Sequence, residues 1–237
     1  MTKNIVDYYS NYDEENRLIK DNAHRIEFDM TNYALESYIK PNSRMLDIGA
    51  GTGRYSFYYA LKGISIFSMD LVEKHIEILN NKLDEFKDLE MKVAQGNALD
   101  LSRFKEGEFD SILCMGPLYH LANQNEQYKC LSECKRVLCQ NGILAVAYIN
   151  KNTHRELGNN LYFIGLDSKY IEEALIKSGF KIIDHIAIDG ITPKNGGFIN
   201  MLDENGYKAW LDFNQKICRS KISIERTLHA LVIAEKS

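Results

Sequence analysis

Met45-Leu46-Asp47-Ile48-Gly49-Ala50-Gly51-Thr52-Gly53 is the stretch that decides how this chain is read. The apolar run Arg44–Ile48 ends in three alternating glycines, and Gly53–Leu61 then reads as a helix stopped by Gly63. Strand, glycine turn and helix in that order are the setting a nucleotide-binding loop requires. Glycines permit the tight turn and let backbone approach a ligand closely. The details narrow the ligand. The spacing is GxGxG, with Arg54 where a dinucleotide fingerprint wants a small residue, and no phosphate-loop Gly-Lys-Ser/Thr follows. Asp47 stands at the mouth of the turn. A carboxylate there repels a pyrophosphate but suits a ligand that carries an ammonium or a sulfonium.

Outward from the turn, apolar runs and helical patterns alternate from about residue 44 to 188. Ile64–Met69, Met91–Ala94, Phe109–Met115, Ile143–Ile149, Phe180–Ile188 and Leu228–Ala234 read as further strands. Glu73–Phe86, Asn125–Leu138 and Asp167–Lys177 read as helices, the second ended by Asn141-Gly142. Short apolar strands alternating with helices predict a parallel α/β sheet. Two segments fall outside the alternation. Residues 1–40 look helical from Asn22 to Ile39, and residues 190–227 contain a predicted helix over Glu204–Arg219. Both are expected to cap the carboxyl edge of the sheet, where open α/β folds bind ligands. The predicted division is an N-terminal helical cap (1–40), a ligand-binding core (41–189), a cap insertion (190–227) and a final core strand (228–237).

Composition removes several classes of function. With 237 residues, 45% of them hydrophobic and 26% charged, the chain can build a core without a disulfide or metal staple. No apolar run approaches the roughly 18 residues of a membrane-spanning helix. The start, MTKNIVDYYSNYDEEN, is polar and acidic, without a signal-peptide core. The five cysteines are odd in number and lack CxxC spacing, and Cys130 and Cys134 fall on one helix face. That pattern fits reduced thiols in the cytoplasm. A net charge of −4 with no Lys/Arg block argues against a nucleic-acid binder. No cluster has zinc-like spacing, so no metal is expected.

Two further positions complete the core pattern. Asp70 ends the second strand, where a carboxylate can accept both hydroxyls of a ribose. Asn97 and Ala98 follow the third strand, a natural place to meet an adenine edge. Taken together, MLDIGAGTG (45–53), Asp70, GNALDL (96–101), FDSILCMGPLYHL (109–121) and RVLCQNGIL (136–144) resemble the class I S-adenosylmethionine-dependent methyltransferases. The resemblance covers about 45–188. The Gly-Pro-Leu-Tyr-His-Leu stretch is similar to the small-molecule branch called methyltransferase type 11 or 25. One departure is Cys139-Gln140-Asn141-Gly142, where the family usually has Lys-Pro-Gly-Gly. Asn also tolerates the left-handed conformation.

The resemblance implies a Rossmann-like, doubly wound sheet of seven strands in the order 3-2-1-4-5-7-6. Most strands would be parallel and the last antiparallel, with helical cap segments. It implies S-adenosylmethionine as cofactor and a small-molecule acceptor, with the protein a monomer or homodimer. Gly49, Ala50, Gly51 and Gly53 would line the methionine and ribose moieties, with Asp47 orienting the amino end. Asp70 would hold the ribose and Leu71 would pack on adenine. Asn97 and Ala98 would border the adenine, and Met115 would lie beside the methionine moiety.

Methyl transfer is an in-line displacement, so proximity and water exclusion are the main tasks. A base is needed only if the acceptor arrives protonated. Tyr119 and His120 are the catalytic candidates, His120 as a base near neutral pH; the alternative is that both pack the start of the next helix. Tyr8, Tyr12 and His24 are candidate substrate contacts, with Tyr8 and Tyr12 spaced to share a helical face. Arg17 could pair with the cofactor carboxylate or be a solvated surface arginine. Trp210 and Phe213 in the insertion are read as core packing.

Met115-Gly116-Pro117-Leu118 stands where nucleobase methyltransferases carry Asn/Asp-Pro-Pro-Tyr/Phe. Asp110 sits at the wrong end of its strand for a catechol-type metal site. Two other readings stay open: a non-catalytic S-adenosylmethionine-binding scaffold or regulator, and an NAD-dependent oxidoreductase.

Overall fold

A computed structural model describes residues 2–158 and 162–237. Two helices, α1 (Thr2–Ser10) and α2 (Asn22–Leu35), precede the first strand. The alternation follows as β1 (Arg44–Ile48), α3 (Arg54–Ala60), β2 (Ser65–Asp70), α4 (Glu73–Leu83) and β3 (Met91–Gln95). It continues through β4 (Phe109–Cys114), α5 (Gln124–Val137), β5 (Leu138–Asn150), α6 (Lys151–Glu156), β6 (Gly165–Leu166), α7 (Ser168–Lys177) and β7 (Phe180–Ala187). Three helices, α8 (Gly196–Ile199), α9 (Glu204–Ile217) and α10 (Lys221–Arg226), lead into β8 (His229–Lys236).

The sheet runs β3-β2-β1-β4-β5-β8-β7, with the short β6 beside β5. This is the expected order once β6 is set apart; an eighth strand of two residues is the correction. Such a piece is too short to show a period of two. Strand β8 runs antiparallel to both β5 and β7, as expected. Register matters for the site. Ile48 lies level with Met69 of β2 and with Cys114 of β4. The glycine turn, Asp70 and Met115 therefore emerge side by side at one edge.

Alternating residues feed two apolar layers. Ile112, Val146 and Val232 face α5 and α7, where Leu131, Val137, Ile171 and Leu175 are fully or almost fully buried. Met45, Leu113, Leu231 and Ile233 face the other way, toward Ile26 and Met30 of α2 and Leu79 of α4. Burying each such side chain contributes roughly 1.5–3 kcal/mol. The five cysteines are unpaired, and Cys114, Cys130 and Cys134 bring their sulfurs within 4.8 Å inside the first layer. There they pack as small hydrophobes.

Helix α2 begins at Asp21, whose carboxylate accepts the His24 N–H at 3.0 Å. It ends at Leu35, short of the predicted Ile39. The 190–227 segment braces this helix. Arg25 grips Glu204 through two bonds of 3.0 and 2.9 Å, and the Tyr207 hydroxyl donates to Asp29 at 2.7 Å. Trp210 donates to Thr192 at 3.0 Å, which agrees with a packing role. Asn141 takes φ 60°, the left-handed conformation expected there. Helix α5 stops earlier, at Val137. Among the described residues no helix is long and apolar enough to cross a membrane.

Candidate functional site

The turn between β1 and α3 is locked onto β2. The N–H groups of Gly49 and Ala50 both donate to the Met69 carbonyl, at 2.8 and 3.1 Å. Gly51 has φ 56°, and a Cβ there would sit 3.2 Å from Glu14. The backbone is thus kept bare where α1 and its following loop cross over it. Gly53 departs from its predicted role. It is the left-handed residue before α3, packs against Leu79, and is not among the described cavity-lining residues.

Two carboxylates flank the turn. Asp47 is 2% exposed and accepts the Ser56 hydroxyl at 2.6 Å, while Ser68 donates to Ser56 at 2.7 Å. Burial pushes the Asp47 carboxyl up to about 7; the Ser56 bond works against this and the Asp70 charge adds to it. Asp70 accepts the N–H of Gly51 and of Val72, each at 2.8 Å, and its Oδ1 lies 3.2 Å from His75 Nδ1. A carboxylate offers about four acceptor sites, so three donors leave capacity for a ligand hydroxyl. The His75 Nε2 is buried without a hydrogen-bond partner among the described residues.

A cavity of about 500 Å³ opens at this edge. That lies within the usual range of ligand pockets, roughly 300–1,000 Å³. Its described wall holds six carboxylates (Glu14, Glu15, Glu27, Asp47, Asp70 and Glu126) against the guanidiniums of Arg17 and Arg54. With every acid counted as ionised, this formal excess of four negative charges equals the whole chain's formal net charge of −4. Such a wall attracts a cationic ligand and repels phosphates.

All the predicted site residues other than Gly53 do line this cavity: Ala50, Leu71, Asn97, Ala98, Met115 and Arg17 among the cofactor candidates, and Tyr8, Tyr12, His24, Tyr119 and His120 beside them. Their local bonds refine the reading. Asn97 accepts the Leu99 N–H at 2.9 Å as a turn residue. Tyr119 donates to the Met115 carbonyl at 2.6 Å, and burial raises its hydroxyl pKa. Tyr8 and Tyr12 stack at 5.4 Å, although α1 ends at Ser10, so a common helical face is not what joins them.

His120 has both ring nitrogens engaged. Nδ1 lies 3.0 Å from the Tyr162 carbonyl and Nε2 lies 3.0 Å from the Tyr9 hydroxyl. A carbonyl only accepts, so Nδ1 carries the proton and Nε2 accepts from Tyr9. Burial lowers the pKa of this ring, partly offset by the Tyr162 bond. In this arrangement His120 is neutral near pH 7 and its lone pair is held by Tyr9, which pins α1 over the sheet edge.

The far wall is a charged chain whose continuation through Asp189 and His229 sequence reading missed. Arg17 donates to Glu14 at 3.0 Å and to Glu27 at 2.7 Å. Burial alone would raise the Glu27 carboxyl; the Arg17 and His229 charges outweigh it and hold it at about 2. His229 Nδ1 lies 3.7 Å from Glu27 and 2.7 Å from Asp189. These residues come from the loop after α1, from α2, from the loop after β7 and from the start of β8. No spacing rule could have joined Glu27, Asp189 and His229. His75 was missed too, though it falls five residues after Asp70, in the first turn of α4. Among the described residues, none from 190–227 lines the cavity. The expectation that this insertion caps the site is corrected: it steadies α2, which carries Glu27.

Comparison with known proteins agrees with the geometry. The sequence pattern described as Methyltransferase domain, of type 11, matches residues 46–146. The glycine/sarcosine N-methyltransferase of Parasynechococcus marenigrum (strain WH8102) is 25% identical over 155 residues, which are 59% of this chain and 53% of that protein. The chain spans about half the length of the curated relatives it matches. Geranyl diphosphate C-methyltransferase from Streptomyces coelicolor A3(2) superposes with a TM-score of 0.72 at 13% identity, covering 100% of this chain and 98% of that one. The [4+2]-cyclase SpnF superposes with a TM-score of 0.63 at 21% identity, covering 88% and 80%. Residues 46–146 match the methyltransferase domain, and the chain has the α/β Rossmann-like methyltransferase fold.

Proposed function

We propose that the protein binds S-adenosylmethionine at the carboxyl edge of the sheet and transfers its methyl group to a small-molecule acceptor by in-line displacement. The observation that carries this reading is the glycine turn with Asp70 beside it on the wall of an acid-rich cavity. The residues fit the cofactor's chemistry. Asp70 keeps acceptor capacity for ribose hydroxyls, Leu71 and Ala98 offer apolar contact to a base, and the carboxylate excess suits a sulfonium and an ammonium. Arg17, held between Glu14 and Glu27, is a weaker partner for the cofactor carboxylate than its sequence position suggests.

When bound, the cofactor supplies an electrophilic methyl carbon on a positively charged sulfur. The chain's own work is to exclude water and align the acceptor. Residues 1–40 act as the cap: Tyr8, Tyr9 and Tyr12 roof the cavity, and Tyr9 is tied to His120. Calorimetric titration with S-adenosylmethionine, S-adenosylhomocysteine and NADH tests the reading. We expect saturable binding of the first two and none of the third. Binding of NADH alone would overturn it. Tight cofactor binding with no methyl transfer to a broad acceptor panel would favour a non-catalytic scaffold, a real alternative because a [4+2]-cyclase shares this fold.

A further inference from the structure

Resting on the methyl-transfer reading, we infer that His229 and Asp189 form a proton-accepting dyad, in which His229 Nε2 takes the proton of an N–H or O–H acceptor as that atom is methylated. The dyad lies outside the segment matched by the methyltransferase pattern, and it is distinct from Tyr119 and His120.

The geometry fixes the tautomer. Asp189 is 3% exposed and accepts the backbone N–H of Leu228 at 2.9 Å and of His229 at 3.1 Å. Both are donors, and the Thr227 hydroxyl lies against the same oxygen, so Asp189 is placed as an acceptor. His229 Nδ1, 2.7 Å away, must then carry the hydrogen and donate it. The lone pair of the neutral ring is left on Nε2, and the imidazolium that forms on proton uptake is stabilised by the buried anion. His229 lines the cavity on the same strand face as Leu231, the face that α2 covers. His120 offers no such lone pair while Tyr9 donates to it.

The surroundings tune the ring from every side. Asp189 lies in the loop after β7, Glu27 approaches from α2, Arg17 neutralises Glu27 in part, and His154 approaches from α6. Burial lowers the His229 pKa, but Glu27 and Asp189 more than compensate, so it stands above the ordinary imidazole value. A proton affinity raised in this way suits a general base. In the step itself, the acceptor heteroatom bonds to the methyl carbon as the carbon–sulfur bond breaks and its electron pair stays on sulfur. The acceptor's proton passes to His229 Nε2 and from there to solvent.

Two measurements on the full chain test this. Long-range proton–nitrogen NMR of the cofactor-free protein should show one histidine, lost in His229→Asn, as the Nδ1–H tautomer with a raised titration midpoint. Asp189→Asn should lower that midpoint. An Nε2–H tautomer in the wild type would overturn the dyad even if Asp189→Asn fails to fold. The second measurement follows S-adenosylhomocysteine release with a panel of amines and phenols. His229→Asn should cut kcat by roughly 10²–10⁴-fold, leave S-adenosylmethionine affinity unchanged, and abolish the acid limb of the pH–rate profile. His229→Ala should recover part of the rate with added imidazole, whereas His120→Asn should keep the acid limb. Full turnover in His229→Asn would remove the dyad while leaving the cofactor reading intact. Absence of cofactor binding in the wild type would strike the cofactor reading, and NMR would still judge the dyad.

Discussion

Asp47→Asn should make the protein more stable at alkaline pH while weakening its hold on cofactor. In the unfolded chain the carboxyl titrates near 3.8; in the fold it titrates at about 7, chiefly because burial penalises its anion. The folded state therefore binds this proton more tightly. Asp47 costs nothing below its unfolded value, and its penalty grows as pH rises through the window up to about 7. At ~1.36 kcal/mol per pH unit, that penalty approaches about 4 kcal/mol above pH 7. Asparagine cannot ionise, and its side-chain oxygen can still accept the Ser56 hydroxyl now bonded at 2.6 Å. The advantage of the variant should therefore be about 3 kcal/mol larger at about pH 8 than at about pH 4.5. Urea unfolding without cofactor at the two pH values measures this directly, because bound ligand would add its own stabilisation. A pH-independent difference, or a variant less stable at alkaline pH, would refute the buried-anion argument. Loss of cofactor affinity in the stabilised variant would mark Asp47 as stability given up for function.

Two other outcomes follow from the same edge of the sheet. Gly53→Ala places a Cβ 2.3 Å from Leu79 Cδ2 at φ 87°, whereas Gly63→Ala meets nothing within 4 Å at φ 80°. Both lose roughly 1–2 kcal/mol to the left-handed backbone, but only Gly53→Ala should lose a further ~1–3 kcal/mol to overpacking; equal losses by urea unfolding would show that the Leu79 contact relaxes freely. Asp70→Ala should weaken S-adenosylmethionine binding by roughly 1.5–3 kcal/mol, the worth of hydrogen bonds to a charged group, and unchanged affinity by calorimetry would remove Asp70 from the ribose role.

What could be read in the sequence was local. MLDIGAGTG joins strand, turn and helix within nine consecutive positions, so its geometry is written where its residues are. Strand β1 was predicted residue for residue, and Asn141 showed its left-handed conformation through its identity alone. Helix α1 was not delimited, because its few turns depend on packing against the cavity rim rather than on propensity. Tyr8 and Tyr12 drew attention by their spacing, yet Tyr9 is the one that reaches His120. The insertion was misread for a related reason. Its aromatics signalled an apolar surface to be covered, but not that α2 and Thr192, instead of a ligand, would cover it. Glu27, Asp189 and His229 lie far apart in the chain, and only sheet closure by β8 brings them together.

That division bears on reaction identity. The segment matched by the methyltransferase pattern, residues 46–146, supplies the glycine turn, Asp47, Asp70 and the cavity-lining loop at Asn97 and Ala98. Tyr9, Arg17, Glu27, Asp189 and His229 all fall outside it. A [4+2]-cyclase shares the fold, so the fold alone does not decide what happens to the second ligand. Binding energy spent equally on ground and transition states leaves the chemical step unchanged. Substitutions inside 46–146 that touch only cofactor should therefore move its affinity first. Substitutions of Asp189 and His229 in the outer group should move turnover and its pH dependence while cofactor affinity holds. If the two groups instead behaved alike, the cavity would be a single binding site with no separate acceptor chemistry, and the scaffold reading would gain what the enzyme reading lost.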